Sequence, residues 1–92
     1  MGYEFEWDPN KAAINLVKHG VVFKEATTVF VDPRSLNIRD PLHSQTEQRF
    51  VVLGMSSLGR VLIVCYTERP PRTRIISARQ ANRSERRQYD SL

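Results

Sequence analysis

Val61-Leu62-Ile63-Val64-Cys65-Tyr66-Thr67 is the stretch from which the fold is read. Val61 to Tyr66 is the longest apolar run in the chain. It has the length of a strand and falls far short of the roughly 20 residues that span a bilayer. Arg60, Leu62, Val64, Tyr66 and Glu68 fall on one face of this strand, apolar in the middle and charged at both ends. Immediately before it, Ser56-Ser57-Leu58-Gly59 reads as a turn. Before that turn Arg49, Val51 and Leu53 alternate with Phe50 and Val52, so the two runs predict a hairpin. On the other side Pro70-Pro71 breaks the chain. Arg72–Ser77 then predicts a further strand, with Arg72, Arg74 and Ile76 sharing a face.

Moving outward, a short strand opens the chain, and two helical patterns follow it before the sheet. Tyr3-Glu4-Phe5-Glu6-Trp7 alternates aromatic and acidic residues, as a short half-buried strand does. Asp8 is a good N-cap and Pro9 suits the first helical position, so a helix is predicted over Pro9 to Lys18, closed by Gly20. Ala13, Leu16 and Val17 are expected to face the core, with Lys11, Asn15 and Lys18 opposite. Phe23, Ala26 and Phe30 mark a second helix over Phe23–Val31, stopped by Asp32-Pro33. Leu36–Arg39 is a short strand and Pro41-Leu42-His43-Ser44 a loop. At the C-terminus two capping signals compete, Ser77 with Gln80 and Asn82 with Glu85. If the helix begins early, Arg79, Arg83, Arg86 and Arg87 form one stripe. The sum is an α+β fold in one small domain spanning residues 1–92: strand, helix, helix, an antiparallel sheet of three to four strands, and a C-terminal helix.

Charge divides unevenly along the chain. Residues 1–47 hold five Lys and Arg against seven Asp and Glu, a balance of −2. Residues 48–92 hold nine Arg against three acids, a balance of +6, and together these give the net +4. Every base in the second half is Arg, the side chain suited to forked contacts with phosphate or carboxylate. Nucleic acid or an acidic protein is the partner class this implies. A solvated basic face, tied by weak salt bridges to Glu4, Glu6 and Glu68, explains the same counts.

The single cysteine, Cys65, excludes an intrachain disulfide and a multi-cysteine zinc site, and it reads as buried and inert. No metal-binding or Gly-rich phosphate motif is present, so no cofactor and no metal are expected. The N-terminus carries acids where a secretory signal would be basic and then apolar, so a cytoplasmic location is expected, away from membranes. Arg60, Arg69, Arg72, Arg74 and Arg79 fall at the edges of the predicted sheet, where they could hold phosphates of single-stranded RNA. Tyr66 and Tyr89 fit core packing better than base stacking. His19 ends the first helix beside Lys18, where the dipole favours cations. His43 lies four residues before Glu47 in a loop, a candidate acid and base pair whose distance the spacing does not fix.

Phe5-Glu6-Trp7-Asp8-Pro9 with Lys11, then Asn15-Leu16 and Lys18-His19-Gly20-Val21, resembles the opening of the BrnT toxin family. Later pieces follow in order: Phe30-Val31-Asp32-Pro33, Tyr66-Thr67-Glu68-Arg69, Arg74-Ile75-Ile76-Ser77-Ala78-Arg79, and Glu85-Arg86 with Tyr89. The resemblance implies the toxin half of a type II toxin–antitoxin pair, a RelE-like fold, and a ribonuclease that stops translation. It also implies a BrnA-type antitoxin through which alone the complex reaches operator DNA. Metal-free RNA cleavage uses the 2′-hydroxyl as nucleophile and needs a base, an acid and cations on the phosphorane. Glu68, Arg69 and Arg79 are the preferred catalytic set, followed by Lys18 and His19. RNA contacts are assigned to Arg60, Arg72, Arg74, Arg83, Arg86 and Tyr66, with His43 and Glu47 as further acid or base candidates. The antitoxin is expected to present acids to the Arg-rich edge. Two other readings use the same Arg-rich half, a non-catalytic interaction module and a DNA-binding repressor subunit.

Overall fold

The computed structural model describes residues 4–39 and 48–91. Its elements run β1 (Phe5–Glu6), α1 (Pro9–His19), α2 (Phe23–Thr27) with a 3-10 turn (Thr28–Val31), β2 (Leu36–Arg39), β3 (Arg49–Met55), β4 (Val61–Arg69), β5 (Arg72–Gln80) and α3 (Arg83–Asp90). The strands form one sheet in the order β1-β5-β4-β3-β2. The four strands β2 to β5 form the expected antiparallel sheet, and the two-residue β1 joins its edge, parallel to β5. Phe5 then turns into the core against Phe30, while Glu6 lies on the opposite face.

The alternation around Val61–Tyr66 sorts the sheet's two faces. Leu62, Val64 and Tyr66 join Val52, Ile75 and Ala78 under α2 and the 3-10 turn, where Val21, Phe23, Ala26 and Val29 complete the main core. Gly54 lets the 3-10 turn approach β3: a Cβ there would stand 3.1 Å from Ser35 Cβ and 3.2 Å from Val29 Cβ. The opposite face is lined by Leu53, Val61 and Ile63, and α3 covers part of it with Tyr89. Pro70-Pro71 does not merely break the chain. It is a tight turn, with a cis peptide, that sets Arg69 opposite Arg72.

One irregularity alters which residues share a face. Cys65 pairs with Ser77 but Tyr66 pairs with Ile75, so Ile76 is an extra residue, a β-bulge. A bulge resets the two-residue period. Arg74, opposite Thr67, and Arg79, opposite Ile63, therefore stand on the same face, although their numbers differ by five. The expected grouping of Ile76 with Arg72 and Arg74 holds, because Thr73 and Ile75 between them turn inward and the shift comes only after Ile76.

The first helix starts and stops as its sequence directs. Asp8 accepts a hydrogen bond from the Asn10 N–H at 2.8 Å, and Gly20 sits at φ 69° with its N–H on Leu16 O. Its orientation reverses the expectation. Asn15 is buried, whereas Ile14, Leu16 and Val17 are exposed, Val17 at 89%. The cause is the edge of the sheet. β1 pairs with β5 only at Thr73 and Arg74, which leaves the later part of that edge without a strand. The Asn15 side chain takes the strand's place: it donates to Ala78 O at 2.8 Å and accepts from the Ala78 N–H at 3.1 Å. It also donates to Val21 O at 2.9 Å. Buried backbone groups need such partners, and that need, rather than apolar burial, fixes which side of α1 faces inward.

At the C-terminus the second capping signal prevails. Asn82 accepts from the Glu85 N–H and the Glu85 side chain accepts from the Asn82 N–H, because Ser77 and Gln80 belong to β5. Arg79 is thus a strand residue, and the expected four-arginine helical stripe does not form.

Candidate active site

The face of the sheet that bears Arg74 and Arg79 is the one turned away from α2, and α3 leans across it. Between α3 and the strands lies a cavity of about 350 Å³, lined by Leu36, Val51, Leu53, Ile63, Arg79, Glu85 and Gln88. Arg79 enters it under tight restraint. Its two terminal nitrogens donate to Glu85 at 2.8 and 2.9 Å, and Nη1 also reaches Gln80 O at 3.3 Å. The capping box that starts α3 also fixes Glu85, so helix initiation and the placement of this cation are one network. The hydrogen bonds from Arg79 hold the Glu85 carboxyl below its usual range against the opposing effect of burial, and Glu85 in turn raises the guanidinium. Glu85 is therefore a fixed anion at neutral pH, an orienting group and not a proton acceptor.

The pairing engages one edge of the guanidinium. The other edge, Nε–H with the second Nη2–H, has no hydrogen-bond partner among the described residues. Two parallel N–H groups on an exposed edge match two oxygens of a phosphate. The Arg79 side chain is 41% exposed.

α3 is anchored at its far end as well. The Tyr89 hydroxyl donates to Asp32 Oδ2 at 2.7 Å, and the Met55 N–H donates to the same oxygen at 2.8 Å. Arg34 lies over the Tyr89 ring, 5.3 Å from its centroid. Burial alone would raise the Asp32 carboxyl, yet the hydrogen bonds from Met55, Tyr89 and Arg34 hold it below the usual range. Asp32 raises the Tyr89 phenol in return.

The other anticipated residues divide into groups. Lys18 and His19 line a hollow of about 250 Å³ with Lys11, Ile14, Ile76 and Ser77, at the free edge of β5 and within two residues of Arg79 along that strand. Glu68, Arg69 and Arg72 lie at the opposite end of the β4–β5 hairpin. Glu68 is five residues along β4 from Ile63, the partner of Arg79, which is roughly 17 Å at the usual strand rise. Glu68 and Arg69 thus do not converge with Arg79, Lys18 and His19 as the preferred set requires. Glu68 accepts from the Thr73 hydroxyl at 3.2 Å. Arg74 donates to Glu6 at 2.8 Å, and Arg72 stands 4.0 Å from Glu4. Arg83 and Arg86 are exposed on α3.

Two RNA-binding assignments are corrected by packing. Arg60 donates through Nε to the buried Glu25 at 2.9 Å, through Nη2 to the other Glu25 oxygen, and to Gly20 O at 3.2 Å. The Ser56 hydroxyl joins the same carboxylate at 2.7 Å. Arg60 is a tie between α2 and the β3–β4 turn, not a free phosphate ligand. The Tyr66 ring is buried between Phe30 and Phe50, with centroids at 4.9 and 5.5 Å, and its hydroxyl donates to Asn37 at 2.5 Å. No base can stack on it. His43 and Glu47 lie outside the described residues. Among the described residues, no three His, Cys, Asp or Glu side chains form a set that could hold a metal ion, and no helix is long and apolar enough to cross a membrane.

Sequence reading missed Glu85 as the partner of Arg79, and Gln88 as a cavity residue. Glu85 carried a signal, its place in the capping box, but nothing local ties that cap to a strand residue whose face is set by a bulge.

Comparison with known proteins gives the context. No curated protein matches the chain significantly. The fold is similar to the 1.1 Å crystal structure of the ribonuclease toxin BrnT of Brucella abortus, with a TM-score of 0.65 and 19% sequence identity over 89% of this chain and 100% of that one. The family model for the ribonuclease toxin BrnT of type II toxin–antitoxin systems matches residues 7–85. With that match across most of its length, on a fold of the same kind, the chain belongs to the BrnT family of type II toxins.

Proposed function

We propose that this chain is an endoribonuclease that cleaves RNA without a metal ion, and that Arg79 is the cation on the reacting phosphate. The observation that carries the reading is the unpartnered edge of a guanidinium whose other edge Glu85 holds in place. In the reaction a 2′-hydroxyl attacks the adjacent phosphorus, the 5′-oxygen leaves, and a 2′,3′-cyclic phosphate forms. Negative charge builds on the phosphorane oxygens, where a fixed cation contributes more than in the ground state. Because Glu85 fixes the guanidinium beforehand, little reorganisation is needed as that charge develops. Lys18 and His19, whose hollow includes Ser77 two residues before Arg79 on β5, are the candidates for the proton transfers. Arg74, Arg72, Arg83 and Arg86 continue the cationic track for the flanking strand. In the cell this activity halts translation, and a BrnA-type antitoxin restrains it in the cytoplasm.

The test is cleavage of a single-stranded RNA by purified chain, with and without chelator. Cleavage is expected to persist in chelator and to fall by about 10²–10³ in Arg79→Ala. Arg79→Lys keeps the charge but loses the fork, and should recover only part of the rate. Activity lost to chelator and restored by Mg²⁺ would overturn the metal-free reading. Wild-type cleavage by folded Arg79→Ala would overturn the role of Arg79.

A further inference from the structure

The outer side of α1 is apolar and, among the described residues, has nothing packed on it. Val17 is 89% exposed, Ile14 63% and Leu16 47%, and Ala13 is exposed beside them. Ala13, Ile14 and Val17 are spaced as one face of a helix, and with Lys18 they line a depression of about 320 Å³. Large apolar side chains clustered this way on a small domain mark an interaction surface.

Charge identifies the kind of occupant. Lys11 and Lys18 are seven residues apart and so lie on one line along α1, about 10.5 Å from each other. That line borders the apolar stripe, because Ile14 stands between the two lysines. α1 contains no acid, and among the described residues neither lysine meets a carboxylate. A second copy packed on the same face would set lysine against lysine, and the acid nearest them in sequence, Asp8, is engaged in capping the helix. A segment that carries acids two helical turns apart, beside its own apolar stripe, complements both features at once.

We infer that the outer face of α1 is the docking surface for the antitoxin, which lays an amphipathic helix with acidic flanks along Ala13, Ile14 and Val17. The inference rests on the toxin–antitoxin reading of the chain. It moves the expected contact away from the Arg-rich edge, where Glu4, Glu6, Glu25 and Glu85 already meet the arginines. Antitoxin held there covers the Lys18 and His19 hollow beside Ile14 and leaves Arg79 in place.

The test is binding of the antitoxin encoded beside this chain to wild-type protein, to Ala13→Glu/Val17→Glu and to Lys11→Glu. Both apolar positions are exposed and Glu is a good helix former, so the fold is retained. The double variant is expected to bind about a hundredfold more weakly and to cleave RNA as the wild type does, but to escape neutralisation. Lys11→Glu should slow association at low salt, and the difference should fade as salt screens it. Unchanged antitoxin affinity in the double variant overturns the inference. So does a wild-type dimer in sedimentation that the double variant abolishes, or wild-type binding to anionic lipid vesicles that the variant loses while still binding antitoxin. Wild-type chain that binds antitoxin through α1 but cuts no RNA would refute the nuclease reading and leave this one standing.

Discussion

The Arg-bearing face of the sheet and the outer face of α1 manage charge in opposite ways. On the sheet face Arg74 is met by Glu6, Arg79 by Glu85 and Arg72 by Glu4, and on the opposite side Arg60, just before β4, is met by the buried Glu25 of α2. Three of those acids come from the N-terminal half. Three of the six excess charges of the second half are therefore answered inside the fold by carboxylates distant in sequence. On α1 the two lysines stand beside exposed Ile14 and Val17 with no acid among the described residues. A count of charges by segment points to the sheet as the sticky surface. The arrangement in space points to α1 for a protein partner, while on the sheet face Glu85 holds one edge of the Arg79 guanidinium and Arg49 Nε is buried without a hydrogen-bond partner among the described residues.

The largest effect that separates the two sides of α1 should come from Asn15→Leu. It removes three buried hydrogen bonds and leaves Val21 O and both peptide groups of Ala78 unmet. At about 1–3 kcal/mol per unsatisfied buried group, the expected loss is roughly 4 kcal/mol. Val17→Glu, two residues away, should change stability by no more than about 0.5 kcal/mol. Urea unfolding of both variants measures the contrast, and similar losses in both would mean that the outer side of α1 is packed after all.

A smaller contrast lies within the ion pairs. Glu25→Gln should cost about 2 kcal/mol, allowing for the solvent that reaches Arg60, which is 30% exposed while Glu25 is 3% exposed. Glu4→Gln, on a pair in which both side chains are more than half exposed, should cost less than about 0.5 kcal/mol. Acid should act through the same groups. Glu25, Glu85 and Asp32 all have depressed folded pKa values. The stability they add is complete above their ordinary values of 4.5 and 3.8 and drains away as pH falls through the folded ones. Denaturant midpoints should therefore drop steeply below about pH 4, and Glu25→Gln should flatten that drop. A parallel fall in wild type and variant would show that Glu25 is not a principal contributor.

The smallest expected effect concerns the anchor of α3. Tyr89→Phe keeps the ring against Leu53 and Val61 and removes only the hydroxyl bond to Asp32. About 1 kcal/mol is expected, with RNA cleavage little changed, because Glu85 and not Tyr89 positions Arg79. A large loss of cleavage at unchanged stability would show that the lean of α3 itself shapes the site.

These contrasts also mark what the sequence could disclose. Strands β3 and β4, the start of α1 at Asp8-Pro9 and its stop at Gly20 were legible because each rests on local chemistry. The face of α1 was not. Apolar periodicity gives the direction of a stripe but not what lies on either side of it, and here a strand edge needed an amide more than it needed Val17. The companion of Arg79 was hidden likewise. The Ile76 bulge, which brings Arg79 onto the face of Arg74, depends on pairing between strands and leaves no periodic trace. Arg60 read as a surface base because its partner, Glu25, lies 35 positions away on another element.

Asn15 has a consequence for the life of the chain before it is folded. Until α1 docks, the later half of β5 is a bare strand edge, and such an edge is a template on which another chain can extend a sheet. One amide side chain, imitating a neighbouring peptide group at Ala78, closes that template. Nascent chains of Asn15→Leu should therefore enter inclusion bodies at concentrations where wild type does not, and a partner that clasps α1 would suppress aggregation as a direct result of gripping it.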